Sequence, residues 1–203
     1  MSKKTLAIIL ITVICSTVNA QYCYWATDFG GSTNEENHGM TVDASGNVIV
    51  TGEFTSPSIT IGSTTLVNNS SGSTDFYIAK YSPTGTVLWA QRTGQNIDDV
   101  GKCVITDAAG NIYVAGYFGT DTIFFGSLYV VNSAYGNFDM FLVKYDPNGV
   151  PQWVRKSSGT NDETPFEMTI DGSGNIVVAG KYGAASMTIS TTTITNTFGG
   201  SNI

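Results

Sequence analysis

The sequence predicts an all-β protein, a β-propeller-like array of four-stranded antiparallel blades. One twelve-residue element occurs three times at a fixed spacing, and its apolar runs are short, β-branched and aromatic. The copies begin at Asp43 (DASGNVIVTGEF), Asp107 (DAAGNIYVAGYF) and Asp171 (DGSGNIVVAGKY), so the spacing is 107 − 43 = 64 and 171 − 107 = 64. Repeated units that each supply several strands are typical of propellers.

The start of each copy predicts a tight turn that leads into a strand. Asp and Asn side chains bond nearby backbone groups, and Gly accepts a positive φ without steric cost. The following run, such as Ile112 to Val114, is apolar at consecutive positions, which indicates a strand covered on both faces. A calcium loop is the alternative for the Asp, Gly and Asn, but it needs more oxygen ligands close in sequence.

The rest of the unit keeps the same period. Residues 75–91 and 139–155 each read as strand, Pro and Gly turn, strand, which is a hairpin pattern. Residues 58–67 and 122–131 predict an additional small hairpin that turns at Gly62 and Gly126. The predicted units are 28–91, 92–155 and a truncated 156–203, about two and three-quarter repeats of 64 residues in an incomplete ring.

Two expectations concern the ends of the array. Trp25 aligns with Trp89 in the last strand of the next unit, so residues 22–27 are expected to complete a blade whose other strands come from the far end. The next strand is due to begin at 139 + 64 = 203, where the sequence stops. We therefore expect a fragment of a longer chain.

Residues 1–20 predict a secretory signal peptide. Lys3 and Lys4 precede an apolar run of about ten residues, and Val18 to Ala20 supplies a small-residue cleavage site after Ala20. A membrane anchor is the alternative, but a spanning helix needs about twenty apolar residues. The expected location is therefore secreted or cell-surface, with no membrane insertion after the signal is removed.

The net charge of the chain narrows the classes of partner that it could bind. The net charge is −7, and without Lys3 and Lys4 it becomes 7 − 16 = −9. A strongly acidic surface repels phosphate backbones, so nucleic acid is an unfavourable partner.

Export would permit a disulfide between Cys23 and Cys103, and two buried free thiols are the equally favoured alternative.

A few polar positions are candidates for function. An acid recurs at Glu35, Asp99 and Glu163, where it could line a cation site or, as equal spacing favours, bond the neighbouring turn in each unit. The only histidine, His38, is expected in a polar loop over residues 28–38. The loops 68–74 and 132–137 differ between units, and such loops carry specificity on rigid scaffolds.

The patterns DxxGNxxVxGxF and DxFxxKYxxxG, followed by Trp, resemble the bacterial β-propeller repeats often called SBBP repeats. The resemblance covers nearly all of residues 22–203, with a departure at Lys181 and Tyr182. It implies an exported or surface-attached protein, frequently from Bacteroidota. Many members also carry a C-terminal sorting domain for type IX secretion. It supplies no catalytic residues.

The favoured function is a non-catalytic scaffold that binds an extracellular protein or glycan through its loops. A catalytic site would break the symmetry of the array with unique residues, and no GxSxG nucleophile motif occurs. The alternative is a polysaccharide hydrolase or lyase with a site at the propeller axis, which would require clustered acids, His or metal ligands. The sequence predicts no catalytic residue, no metal site and no cofactor.

Overall fold

The computed structural model describes residues 25–70, 72–133 and 136–195. All regular structure within these ranges is β. The strands are β1 Glu35–Val42, β2 Val48–Phe54, β3 Ser58–Ile61, β4 Thr64–Val67, β5 Asp75–Tyr81, β6 Val87–Thr93, β7 Asp99–Thr106, β8 Ile112–Phe118, β9 Thr122–Phe125, β10 Leu128–Val131, β11 Asp139–Tyr145, β12 Pro151–Ser158, β13 Glu163–Ile170, β14 Ile176–Tyr182, β15 Ser186–Ile189 and β16 Thr192–Thr195.

The strands form antiparallel blades that repeat along the chain. Blade 1 has the strand order β1-β2-β5-β6, blade 2 repeats it as β7-β8-β11-β12, and β13 and β14 begin blade 3. Corresponding strands start 64 residues apart, as in 99 − 35 = 64 and 163 − 99 = 64. The predicted all-β, propeller-like arrangement is confirmed.

The repeated turn is built from local hydrogen bonds. In blade 1, Oδ1 of Asp43 accepts bonds from the backbone N–H groups of Ser45 and Asn47, both at 2.9 Å. The Asn47 amide donates to the other carboxylate oxygen at 2.8 Å, and Gly46 has a φ of 79°. The same bonds recur in the turns that begin at Asp107 and Asp171. The predicted turn is therefore confirmed.

The hydrophobic core lies between blades. Ile49, Phe76 and Ile78 of blade 1 pack in one cluster with Val114, Phe141 and other apolar side chains of blade 2. Accordingly, β2 and β8 are buried at nearly every position, as the consecutive apolar residues predict. The related strand β14 alternates between half-buried and exposed positions up to the buried Tyr182 at its end, and β13 is its only strand partner among the described residues.

The small hairpins connect neighbouring blades. The sequence correctly places hairpins at β3–β4 and β9–β10, which turn at Gly62 and Gly126. It does not predict that the hairpins of blades 2 and 3 contact the preceding blade. Strand β15 pairs with the end of β12, so β15 and β16 extend the sheet of blade 2 to six strands. Similarly, the Thr93 hydroxyl of blade 1 donates to the carbonyl of Phe124 in blade 2.

Repeated tryptophans also join neighbouring units. The indole N–H of Trp89 donates to the carbonyl of Pro147 at 3.4 Å, and that of Trp25 donates to Pro83 at 3.1 Å. The ring of Trp89 covers Gly149, where an added Cβ would meet it at 3.1 Å. The repeated Trp, Pro and Gly thus form one inter-unit contact.

Two element boundaries differ from the predictions. Residues 28–38 are not all loop, because β1 begins at Glu35 and pairs with β2. Residues 25–27, expected in a closing strand, are not in a strand, and the neighbouring residues 22–24 lie outside the described ranges. The predicted signal peptide and the strand start due at 203 also lie outside them.

Candidate functional site

The three repeated acids are buried separately in their own blades. Ser56 donates its hydroxyl hydrogen to Glu35, and Thr120 donates to Asp99 at 3.0 Å. These hydroxyls occupy the same position in successive units, since 120 − 56 = 64. Blade 3 has Ala184 there, and Glu163 instead accepts a bond from Ser157 of blade 2 at 3.2 Å. Each acid therefore bonds a nearby hydroxyl, and the structure does not bring the three together.

Each acid of blades 2 and 3 lies near an aspartate of the preceding blade. Burial raises the pKa of Asp99 to about 7, and the nearby Asp75 carboxylate adds to the shift. Burial also raises the pKa of Glu163 to about 7, and Asp139 acts in the same direction. Asp75 and Asp139 in turn pair with Arg92 and Lys156, at 3.1 and 2.8 Å. These groups form buried charge networks between blades.

A second group of polar side chains lies on β1 and β2, which we call the inner strands of blade 1. His38 extends from β1 between Glu36 of the same strand and Glu53 of β2. One potential ligand atom from each of the three lies within 4.8 Å of the others. The equivalent of His38 in blade 2 is Lys102, whose Nζ lies 3.3 Å from Nδ1 of His38. Strand β1 of blade 1 and strand β7 of blade 2 therefore meet at a cluster of basic and acidic side chains.

Sequence reasoning did not identify the Glu36, His38 and Glu53 cluster. The sequence predicts a loop at His38, and Glu36 and Glu53 lie outside the repeated pattern. A usable signal was nevertheless present. Glu53 is replaced by Tyr117 and Lys181 in the other units, whereas the turn residues nearby are kept. Divergence at a position within an otherwise uniform repeat is a sign that the fold does not fix that residue.

The hairpin of blade 2 carries an exposed pair of aromatic residues. Phe124 and Tyr129 face each other across β9 and β10, with ring centroids 5.8 Å apart. Their exposed fractions are 47% and 59%, whereas the alternate residues Ile123 and Phe125 point into the core. The equivalent positions carry hydroxyl pairs, Thr60 with Thr65 in blade 1 and Thr188 with Thr193 in blade 3. We call Phe124 and Tyr129 the aromatic pair.

A polar cavity of about 370 Å³ adjoins the aromatic pair at the junction of blades 1 and 2. The Arg92 guanidinium is fixed there, with Nη1 bonded to Asp75 and Gly94 and Nη2 bonded to Asn69. The cavity is lined by Asn69, Arg92, Thr93, Gly94, Gln95, Asn96 and Phe124. Asn69 belongs to the variable loop 68–74 that the sequence favoured for binding, so one part of that expectation coincides with the cavity.

The other variable loop is held mainly by a structural asparagine. The Asn132 amide donates to the carbonyls of Phe118 and Asn137, at 3.1 and 2.9 Å. Asn68 makes the same two bonds in blade 1, to Phe54 and Ser73. These asparagines therefore hold the ends of the loops together. Because they have the same structural role in both blades, residues that bind a partner are expected at other loop positions.

Cys103 is buried on β7 and forms no disulfide with another described residue. Burial raises its pKa to about 11, with Lys102 acting in the opposite direction. The possible disulfide with Cys23 stays a prediction, since Cys23 lies outside the described residues.

Comparisons with known proteins agree with the fold. No family model matches the chain. An uncharacterized WD repeat-containing protein of Acanthamoeba polyphaga mimivirus is 31% identical over 159 residues, which is 72% of this chain. The chain spans only 11% of that relative's length. Among the described residues, no helix has the length and apolar character needed to span a membrane. The repeated antiparallel blades and the WD repeat relative together identify a β-propeller-type repeat protein.

Proposed function

We propose that this chain is part of an exported, non-catalytic propeller scaffold that binds a protein partner through the aromatic pair and the adjoining cavity. The observation that carries the proposal is the loss of repeat symmetry in one hairpin. Two blades place a threonine pair where blade 2 exposes Phe124 and Tyr129. Because the threonines satisfy the same backbone geometry, the fold itself does not require aromatic residues there.

The chemistry of this surface favours a protein partner. Protein interfaces are enriched in aromatic residues and Arg, and their strongest contacts lie beside pockets that exclude water. Here Phe124, one ring of the exposed aromatic pair, lines a cavity in which Arg92 is hydrogen bonded to Asn69. The WD repeat relative supports the propeller-type repeat architecture that this proposal assumes. Export is supported by the predicted signal peptide and by the resemblance to SBBP repeats, both read from the sequence.

A glycan is the second candidate partner. The cavity supplies the side-chain amides of Asn69, Gln95 and Asn96 for hydrogen bonding, and Phe124 adds an apolar ring at its edge. This combination of a few polar groups with an aromatic face also suits small polar ligands. A polysaccharide hydrolase or lyase remains the enzyme alternative, and its support is the inner-strand cluster around His38.

The test replaces the aromatic pair by the residues of the other blades. The double variant Phe124→Thr with Tyr129→Thr should keep the fold and lower affinity for peptides selected against the native chain by about tenfold or more. The matched control is Thr60→Ala with Thr65→Ala in blade 1, which should bind as the native chain does. Binding is measured by titration calorimetry, and folding by thermal melting.

A glycan array and a polysaccharide depolymerisation assay with the same proteins separate the alternatives. Glycan binding that is lost in the double aromatic variant would assign the surface to sugars. Depolymerisation by the native chain that is abolished by Glu53→Gln would favour the enzyme. Peptide binding that is equally strong in the double aromatic variant would refute the proposed surface.

A further inference from the structure

The β1–β2 ladder of blade 1 places two carboxylates opposite each other. Glu36 is the direct cross-strand partner of Glu53. Like charges in that relation destabilise a sheet. The equivalent pairs in the other blades carry no such repulsion, because they are Val100 with Tyr117 and Thr164 with Lys181. Blade 1 therefore keeps a repulsive pair that the repeat does not require.

A β-bulge directs the only histidine of the chain toward these carboxylates. The pairing register shifts between Asn37 and Gly39, so His38 is the extra residue of the bulge. Bulges commonly redirect a side chain. Nε2 of His38 lies 3.6 Å from Oε1 of Glu53 and 4.0 Å from Oε2 of Glu36. This nitrogen is buried and has no hydrogen-bond partner.

We propose that Glu36, His38 and Glu53 bind a divalent transition-metal cation, with Zn²⁺ as the reference ion. A cation would neutralise the two opposed carboxylates and would give Nε2 of His38 a partner. One imidazole and two carboxylates suit zinc and its neighbours, whereas Ca²⁺ and Mg²⁺ prefer oxygen ligands alone. Three protein ligands leave a position for water or for a group of a binding partner.

Lys102 of blade 2 opposes this binding and sets its strength. Its ammonium lies 3.3 Å from Nδ1 of His38. An ammonium has only donors, so Nδ1 accepts and the ring hydrogen lies on Nε2. Coordination through Nε2 requires the other tautomer, in which Nδ1 carries the hydrogen and Lys102 turns away. The positive charge of Lys102 also repels the cation, so removing this charge should tighten binding.

Nuclear magnetic resonance of the single histidine reads out the site directly. The chain contains one His, so labelling histidine with ¹⁵N gives the signals of one imidazole in the untagged full chain. On addition of Zn²⁺, the Nε2 signal should move from a protonated to a metal-bound shift, and Nδ1 should become protonated. Co²⁺ should give visible absorption bands that saturate on titration.

Substitutions then separate this site from adventitious binding. Glu53→Gln should weaken Co²⁺ binding at least about tenfold, and Lys102→Met should strengthen it by about tenfold. Lys144→Met is the matched control and should leave affinity unchanged. Circular dichroism checks that each variant folds. The proposal is wrong if millimolar Zn²⁺ leaves the imidazole signals of folded Lys102→Met unchanged, or if Co²⁺ affinity is the same in Glu53→Gln as in the native chain.

Discussion

Ser190 has a left-handed backbone conformation, and the equivalent positions in the other two hairpins are occupied by glycine. Its φ is 55°, and the equivalent residues Gly62 and Gly126 have φ values of 60° and 61°. A left-handed conformation costs an L-residue roughly 1–2 kcal/mol, and glycine avoids this cost. The hairpin of blade 3 therefore contains strain that the other two hairpins lack.

Ser190→Gly should raise the free energy of unfolding by about 1 kcal/mol. The reverse change in blade 2, Gly126→Ser, should lower it by about the same amount or more, because an added Cβ would also meet Pro151 at 3.2 Å. Urea denaturation measures both changes. A destabilising Ser190→Gly would show that this residue does not adopt a left-handed conformation in solution.

At the scale of elements, Lys80 joins the turn of blade 1 to the next blade. Its buried ammonium lies 3.0 Å from Oδ2 of Asp43 and donates to the carbonyl of Pro147 at 3.1 Å. The corresponding Lys144 lies over the ring of Tyr113 instead, 5.3 Å from the centroid. The first lysine is thus part of a buried ion pair, and the second makes a cation–π contact.

Lys80→Met should therefore destabilise the chain by about 3 kcal/mol, because it leaves the buried Asp43 carboxylate without its cation. Lys144→Met, the matched control, should cost about 1 kcal/mol or less. The midpoints of urea unfolding compare the two. Equal losses would argue against the inter-blade role of Lys80.

Local signals explain why the turns and hairpins could be predicted from sequence. The bonds of the Asp43 turn all join residues within four positions, so the pattern of Asp, Gly and Asn is sufficient. The contact between His38 and Lys102 joins residues 64 apart and depends on a bulge, for which the sequence has no distinct signal. The contact of the β9–β10 and β15–β16 hairpins with the preceding blade was not predictable for a related reason. The 64-residue period sets the spacing of the hairpins along the chain, but it does not say which blade each hairpin contacts.

At the scale of the whole molecule, the buried acids between blades make stability depend on pH. Burial raises the pKa of Asp75 to about 6, against the attraction of Arg92, and raises the pKa values of Asp99 and Glu163 to about 7. When the pH lies between the unfolded pKa of such a carboxyl group and its raised folded pKa, the folded chain binds more protons than the unfolded chain does. The stabilising effect of the group is complete below about pH 4 and is lost as the pH rises through about 7.

The turn aspartates of blades 2 and 3 act in the opposite direction at lower pH. Burial opposes ionisation of Asp107, yet hydrogen bonds from Asn111 and other donors outweigh it and lower its pKa. Bonds from Asn175 and the turn backbone likewise lower the pKa of Asp171. Their contribution is present above the unfolded pKa and is lost as the pH falls through the lowered values. Maximum stability is therefore expected in mildly acidic solution.

The urea midpoint of the native chain should fall as the pH is raised from about 5 to 8. Asp99→Asn, which keeps the shape of the side chain but cannot ionise, should reduce that slope. A midpoint that rises over this pH range would contradict the buried, raised-pKa assignment of Asp99.

Backbone hydrogen exchange tests the central claim that the chain is a series of stacked blades with a 64-residue period. Strands β2, β5, β8 and β11 are hydrogen bonded on both edges and almost wholly buried, so their amides should exchange slowest and recur at that interval. Strand β14 shares four of its seven residues with β8 but has one strand partner among the described residues, so it should exchange faster. Slow segments without the 64-residue interval, or equal protection of β8 and β14, would contradict the account.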